Sequence, residues 1–512
     1  MVHHWLIPAC LNNRLRTALA VSVIIAMAGL VLTPSGLQAQ VQPVGVGQGS
    51  YSTSLPPGAA GPQRSDGSPA SPKVSADFSQ PIQTNDFWSS LIYPFFGDPH
   101  SGVLFAHPLN AKATANGLQI GYTSDHTFAG SDYLYPFSHQ LTVGVDGLNV
   151  PETLTDSYGD WTVTALWDGN GRSMEATLGH GLPFIYFRID GGYAVITPNG
   201  SLNIWYQQEE VLGITINGKH YGIFAPDGSE WTQSGSLQST LNGKDYMSVA
   251  LLPDDSTETL ELFRTHAYAF VTNSLVSWDY NENSSKLTTG YTYQTELMED
   301  LNGNINETLT ALYRHQWLYV EQPVTDYTYQ SPRGVMKLLQ GNYFSTGLMF
   351  SGILPSLPDE GTYNRSTLTD LVQQVAQENL GPGPTYENGK AMGRFAQLVN
   401  IADQLGAIEE RDYFLDQLKN RLEDWLTAGG AQEYSYNDEW DVLTGYPSGF
   451  GADTQINDHH FHSSYAIRSA AIIAQFDPEW ASQENWGCMI NLLIKDSNNW
   501  DRTDEMFPFL RS

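Results

Sequence analysis

A change of texture part-way along the chain constrains the fold more than any other feature. From about residue 80 to 330, short β-prone runs alternate with turn signals. Leu141-Thr142-Val143-Gly144-Val145 leads into Asp146-Gly147, and Trp161-Thr162-Val163-Thr164-Ala165-Leu166-Trp167 into Asp168-Gly169. Phe184-Ile185-Tyr186-Phe187 and Leu202-Asn203-Ile204-Trp205-Tyr206 are further runs of the same kind. Many short strands at this spacing predict a large antiparallel β-sandwich over residues 79–330. After about residue 360 the period becomes helical. Between Lys390 and Leu405, Phe395, Leu398, Val399, Ala402 and Leu405 fall on one face, and Gly406 is a natural stop. Between Tyr413 and Leu426 a second stripe holds Phe414, Leu415, Leu418, Leu422 and Trp425, closed by Gly429-Gly430. Two such helices form an αα-hairpin. A third helix is predicted from about Asp458 to Gln475 and a fourth from about Gln483 to Lys495. Successive hairpins of this sort build helical bundles or α/α toroids.

The N-terminal residues 1–39 read as a secretory signal. Arg14 and Arg16 precede an apolar run from Thr17 to Leu32, and Leu37-Gln38-Ala39 offers a small residue for cleavage. A membrane anchor is the competing reading. The run is shorter than the roughly 20 residues a spanning helix prefers, and Pro34 and Gly36 follow closely. The expectation is a secreted protein, extracellular or periplasmic, with no membrane contact after signal removal. Residues 40–78 are rich in Pro, Gly and Ser and are expected to be a flexible leader. Cys488, in the apolar run Gly487-Cys488-Met489-Ile490, reads as a buried small hydrophobe.

Charge narrows the partners. Lys plus Arg number 24 against 55 Asp plus Glu, a formal net charge of −31. Such a surface repels phosphate backbones, which argues against nucleic acid, whereas a neutral polymer meets no such repulsion. Charged residues are only 15%, against about 25% in an average domain. The chain also has 27 Tyr and 13 Trp. That composition suits stacking of sugar rings, although aromatics also fill cores.

The most unusual stretch is Asn457-Asp458-His459-His460-Phe461-His462. One reading is metal binding by His459, His460 and His462, but no HExxH or CxxC stands nearby and a zinc site needs convergent ligands. A second is a structural histidine cluster. A third is a carboxylic acid that protonates a leaving group, with His462 beside it on the same helix face as Asp458. An acid of that kind must keep its proton near neutral pH, and a helix N-terminus works against this. Burial by aromatics and substrate would have to outweigh the helix dipole.

Asn437-Asp438-Glu439-Trp440, Gly445-Tyr446-Pro447, Gly451-Ala452-Asp453, the Asn457 to His462 motif and Asp477-Pro478-Glu479-Trp480 together resemble glycoside hydrolase family 81, the endo-β-1,3-glucanases or laminarinases. Thr84-Asn85-Asp86-Phe87-Trp88-Ser89-Ser90, His107-Pro108-Leu109, Gly181-Leu182-Pro183-Phe184, Arg333-Gly334-Val335-Met336-Lys337 and Tyr386-Glu387-Asn388-Gly389-Lys390 also resemble family segments. The resemblance implies an N-terminal β-sandwich, a small linking region at 331–360 and a C-terminal (α/α)6 barrel at 361–512. It implies a secreted, endo-acting hydrolase of β-1,3-glucan with an inverting acid/base mechanism and neither metal nor organic cofactor. It places Asp458 as general acid and Tyr386, Lys390 and His462 on the glucan, with Asp453 a further substrate-binding candidate in the same cleft. A monomer is expected. The alternative is a non-catalytic β-glucan-binding protein.

Two departures qualify the resemblance. Ser463-Ser464 stands where the family has an aromatic-Gly pair. The family also continues past an FPFxR-like segment into GHSWA-like and ESxSE-like stretches, the latter supplying the catalytic base, whereas here Phe507-Pro508-Phe509-Leu510-Arg511-Ser512 ends the sequence. A C-terminally truncated chain with an incomplete barrel and no general base is therefore expected, and absence of such a group typically costs about 10²–10⁴-fold in rate.

Overall fold

The computed structural model describes residues 43–510, except 95, 96, 209, 301, 302 and 355. The expected signal at 1–39 lies outside the described residues. Two compact units emerge: one spans 64–353, and the other combines 43–63 with 354–510.

The first unit is built on two large antiparallel sheets. The eight-stranded sheet runs in spatial order Leu202–Gln208, Val211–Ile216, Lys219–Phe224, Tyr246–Leu252, Phe184–Asp190, Arg172–Gly179, Thr162–Gly169 and Leu154–Tyr158. The seven-stranded sheet runs Thr232–Ser234, Ser236–Ser239, Ala194–Pro198, His139–Val145, Gly117–Tyr122, Leu109–Thr114 and Val103–Leu104. Alternation sets the inner face. In Thr162–Gly169, Val163, Ala165 and Trp167 are buried while Thr164, Leu166 and Asp168 are not. The Trp167 indole donates to the Thr114 carbonyl at 2.7 Å, and the Tyr221 hydroxyl donates to Gln140 Oε1 at 2.9 Å. Each bond crosses from one large sheet to the other, so the two form the layers of a sandwich.

One turn lies later than the sequence suggests. Strand Thr162–Gly169 runs through Asp168-Gly169 and turns at Asn170-Gly171, both with positive φ (58° and 70°). Asn-Gly suits this tight turn because both central residues must be left-handed. The unit also holds two three-stranded sheets, one of Ala269–Asn281, Lys286–Leu297 and Tyr343–Met349, the other of Leu309–Leu312, Gly334–Gln340 and Thr328–Ser331, and a separate two-stranded hairpin of Thr127–Ala129 and Asp132–Leu134. Much of the expected linking region, 331–360, is therefore paired strand within this unit. Among the described residues two α-helices belong here, α1 (Thr257–His266) and α2 (Arg314–Trp317).

The second unit holds α3 (Arg365–Val375), α4 (Thr385–Leu405), α5 (Ile408–Trp425), α6 (His459–Phe476) and α7 (Gly487–Asn498). Gly406, with φ 69°, closes α4 in the left-handed conformation that a residue without Cβ adopts at least cost. Helix α4 lies against α5 and α6, and α6 against α7. Their shared core includes Phe395, Val399, Phe414, Leu418, Leu422, Ile473, Met489 and Leu493. Burying each large apolar side chain contributes about 1.5–3 kcal/mol. A hairpin of Glu433–Asn437 and Val442–Tyr446 sits between α5 and α6 in sequence. Cys488 is buried in the core, its Sγ 3.0 Å from Gln483 Oε1.

The leader expectation for 40–78 is corrected. Val44–Val46 pairs with Gly49–Tyr51, and Val46 and Tyr51 are buried in the helical core. The Ser50 N–H donates to Leu426 O at 2.8 Å, and that of Ser52 to Tyr434 O at 3.0 Å. Gly49 permits this approach, since a Cβ there would lie 2.7 Å from Leu426 O. Three-residue strands carry no readable period, which is why composition suggested a tether. Further on, the Lys73 N–H donates to Ile92 O at 2.7 Å, within the first unit. No helix among the described residues is long and apolar enough to cross a membrane.

Candidate functional site

Helix α4 begins five residues earlier than its apolar period shows. The run Gly381-Pro382-Gly383-Pro384 hides the start, and Gly389 and Gly393 weaken local helix propensity. Both glycines face the Tyr465 ring of α6: a Cβ on Gly389 would stand 2.8 Å from it, and one on Gly393 2.9 Å. Bare backbone here lets α4 and α6 approach closely. Tyr386 and Lys390, on the first turns of α4, thereby come beside the head of α6.

Asp458 occupies the N-cap of α6 with φ 54° and ψ 7°. N-cap residues ordinarily sit in the β region and bond the helix N–H groups through their side chains. Asp458 makes no such cap bond. Its carbonyl accepts the first helical bond from the His462 N–H at 2.9 Å, leaving the carboxylate on the surface. Asp tolerates the left-handed region better than most residues. Phe450 and Ile456 in the preceding loop also have positive φ, 53° and 52°. Strained non-glycine residues clustered in nine positions are a mark of a functional loop. Asn457 holds that loop together, donating through Nδ2 to Phe450 O at 3.1 Å and to Asp458 Oδ2 at 3.2 Å.

His462, one turn along, is buried. Its Nδ1 lies 2.8 Å from the Thr385 hydroxyl at the start of α4. Burial lowers its pKa below that of an ordinary histidine; the negative charges of Asp458 and Glu387 oppose this, and His459 adds to it. The ring is therefore neutral at neutral pH, with one nitrogen to donate and one to accept. The Tyr386 ring centroid lies 5.5 Å from that of His462, 4.6 Å from that of Phe450 and 6.3 Å from that of Phe461. Lys390 Nζ lies 5.3 Å from the Tyr386 centroid. Phe450 and Phe461 are 61% and 52% exposed. The result is an open aromatic surface with a carboxylate and an ammonium on it and a buried neutral imidazole packed against Tyr386.

The structure thus brings Asp458, His462, Tyr386 and Lys390 together. Asp453 lines a cavity of about 220 Å³ with Thr53, Ser54, Asn437, Glu439 and Tyr446. Burial pushes the Tyr446 phenol up, and the charge of Asp453 adds to that effect. Phe450, Phe461 and Thr385 were not singled out from sequence. Loop and N-cap positions have no period, and only their placement beside the motif could have flagged them.

The histidine run divides in two. His459 and His460 turn inward to Asp496 of α7, their Nε2 atoms 3.5 and 3.7 Å from Asp496 Oδ2. Asp496 also accepts the Leu443 N–H at 3.2 Å. His459, His460 and Asp496 offer ligand atoms within 4.8 Å of one another and are the one group among the described residues that could hold a metal ion. His462 is not part of it, so the reading of one metal site made from all three histidines is replaced by a pair facing Asp496 and a third buried ring facing Thr385. Ser463 is buried, and the Ser464 hydroxyl, at the surface, donates to Phe461 O at 2.7 Å.

Residues 361–512 match the glycosyl hydrolase family 81 C-terminal domain. The chain is 43% identical over 510 residues to a glucan endo-1,3-beta-D-glucosidase of Thermobifida fusca, covering 98% of this chain and 66% of that protein. It is 39% identical over 472 residues to a glucan endo-1,3-beta-D-glucosidase of Acetivibrio thermocellus, covering 90% of this chain and 59% of the relative. A solved structure of a mutant glycoside hydrolase family 81 protein from Clostridium thermocellum superposes with a TM-score of 0.85 at 39% identity, covering 92% of this chain and 65% of that one. The chain spans about two thirds or less of the length of each.

Proposed function

We propose, from the premise that this chain belongs to glycoside hydrolase family 81, that it binds β-1,3-glucan and hydrolyses its internal linkages with Asp458 as general acid. One observation carries the reading: the left-handed N-cap of α6 sets the Asp458 carboxylate free of the helix, beside the aromatic surface of Tyr386, Phe450 and Phe461.

The roles follow from chemistry. Tyr386 and the two phenylalanines stack on the apolar faces of glucose rings. Lys390 donates to hydroxyls, and neutral His462, fixed by Thr385, donates or accepts. The Asp458 carboxylate is exposed in the protein alone. A sugar seated over Phe450 and Phe461 would exclude water there and set its glycosidic oxygen beside the carboxyl that protonates it. Inversion needs a second carboxylate roughly 6.5–9.5 Å away to activate water. We assign the acid alone. In the same proposal, α3 to α7 are members of an (α/α)6 barrel, the protein works outside the cytoplasm as a monomer, and neither metal nor organic cofactor takes part.

The test is release of reducing ends from laminarin by the purified chain and by Asp458→Asn. A loss of about 10²–10⁴-fold in the variant supports the acid role. Equal release by both overturns it. Retardation in a laminarin gel with no release by either protein favours the non-catalytic β-glucan-binding reading instead.

A further inference from the structure

A short hairpin in the β-rich unit stands apart from both large sheets. Among the described residues, Thr127–Ala129 pairs with Asp132–Leu134 and with no other strand. All six strand residues are exposed. An isolated two-stranded hairpin is marginal in water at best. This one also displays large apolar side chains: Phe128 is 68% exposed, Tyr133 48% and Leu134 45%.

Aromatic contacts hold it in place. The His126 ring stacks on Tyr133 with centroids 4.4 Å apart at 22°, and Phe128 meets Tyr133 edge-on at 5.6 Å. Tyr133 meets Tyr135 edge-on at 5.6 Å, and Tyr135 in turn meets buried His107 at 5.6 Å. The Tyr133 hydroxyl donates to Pro332 O at 3.1 Å, which fixes the ring orientation. The row of rings is therefore anchored in the unit's interior at one end and wet at the other. Asp125, which holds the His126 ring nitrogen at 3.1 Å, and Asp132 supply acceptors at its edge.

We infer that this hairpin is a second glucan platform, on which a neutral chain of β-linked glucose stacks against Phe128 and Tyr133. Pre-oriented rings match the apolar faces of pyranoses, and carboxylates beside them accept from hydroxyls. The formal charge of −31 disfavours an anionic polymer. Rigid aromatic anchors lose little entropy on binding. The choice of β-1,3-glucan as the occupant rests on the function proposed above; the platform itself rests on the hairpin.

The experiment is affinity electrophoresis in laminarin of the whole chain, with Phe128→Ala, Phe128→Ala/Tyr133→Ala and Phe128→Tyr. Thermal melting confirms that each variant folds, and reducing-end release from laminarin is measured separately. Loss of an aromatic anchor is expected to weaken retention by about tenfold, with Phe128→Tyr retaining it. Equal retention of the parent and the double alanine variant overturns the platform, as does equal loss in Phe128→Tyr. Hydrolysis by a parent chain that is not retarded overturns the platform and leaves the catalytic proposal standing. Platform-dependent retention without hydrolysis does the reverse. Self-association abolished by Phe128→Ala, with glucan retention unchanged, marks the patch as a contact between copies and also overturns it.

Discussion

Replacing Gly389 by alanine sets two opposing effects against each other. Helix propensity favours alanine in the interior of α4 by about 0.8–1.0 kcal/mol. The added Cβ, however, meets Tyr465 Cδ2 at 2.8 Å and its Cβ and Cγ at 3.2 Å. Carbon atoms rest about 3.5–4.0 Å apart, so the nearest contact is too short by roughly 1 Å. Because the root of the tyrosine is also in the way, a ring rotation does not relieve the clash, and α6 must move from α4. Overpacking of this kind costs about 1–3 kcal/mol, so a net loss of about 1 kcal/mol is expected once propensity is subtracted. The same displacement parts Tyr386 and Lys390 on α4 from Asp458 and His462 on α6, so glucan retention should weaken too. Urea unfolding of the parent, Gly389→Ala, Tyr465→Ala and the double variant measures the terms. Removing the tyrosine ring should turn the glycine substitution from destabilising to stabilising. A Gly389→Ala protein more stable than its parent by about 1 kcal/mol would refute the reasoning, because propensity alone would then account for it.

Two further outcomes follow from buried polar groups. Thr385→Val removes the hydroxyl 2.8 Å from His462 Nδ1 and leaves a buried imidazole nitrogen unbonded; it should cost about 1–3 kcal/mol in thermal melting, with Thr385→Ser restoring the loss. Lys73 is buried, its ammonium donating to Pro99 O at 3.2 Å and His100 O at 2.6 Å, and burial lowers its pKa from 10.5 to about 8. Between those values the unfolded chain binds more protons than the folded one, so this group makes stability rise with pH through that window, by at most about 1.4 kcal/mol per pH unit. Urea midpoints at pH 8 and pH 10 should therefore rise more in the parent than in Lys73→Met, and identical slopes would contradict the assignment.

The legible parts of this protein were those with a period. Alternation in Thr162–Gly169 and the apolar stripes of α4 and α5 encode their own buried faces, because side-chain direction repeats every two or 3.6 residues. Helix α3 escaped notice because Val372 is its only fully buried residue. The 44–51 hairpin escaped because three-residue strands are too short to alternate visibly. In the candidate site, the Asp458 and His462 spacing was readable as one helix face. The turn of His459 and His460 to Asp496 was not, because adjacent helix residues point about 100° apart and their shared partner lies in α7.

The residues by themselves determined that strands come first and helices after, and that one short motif carries acid, imidazole and aromatic groups. Local propensity and period act within a few residues, and sequence records them directly. Tertiary structure alone decided which long-range neighbours complete the site. It seated Thr385 against His462 and Tyr386 beside Phe450. Those outcomes depend on how closely α4 approaches α6, and that distance is set by steric contact between residues far apart in the chain.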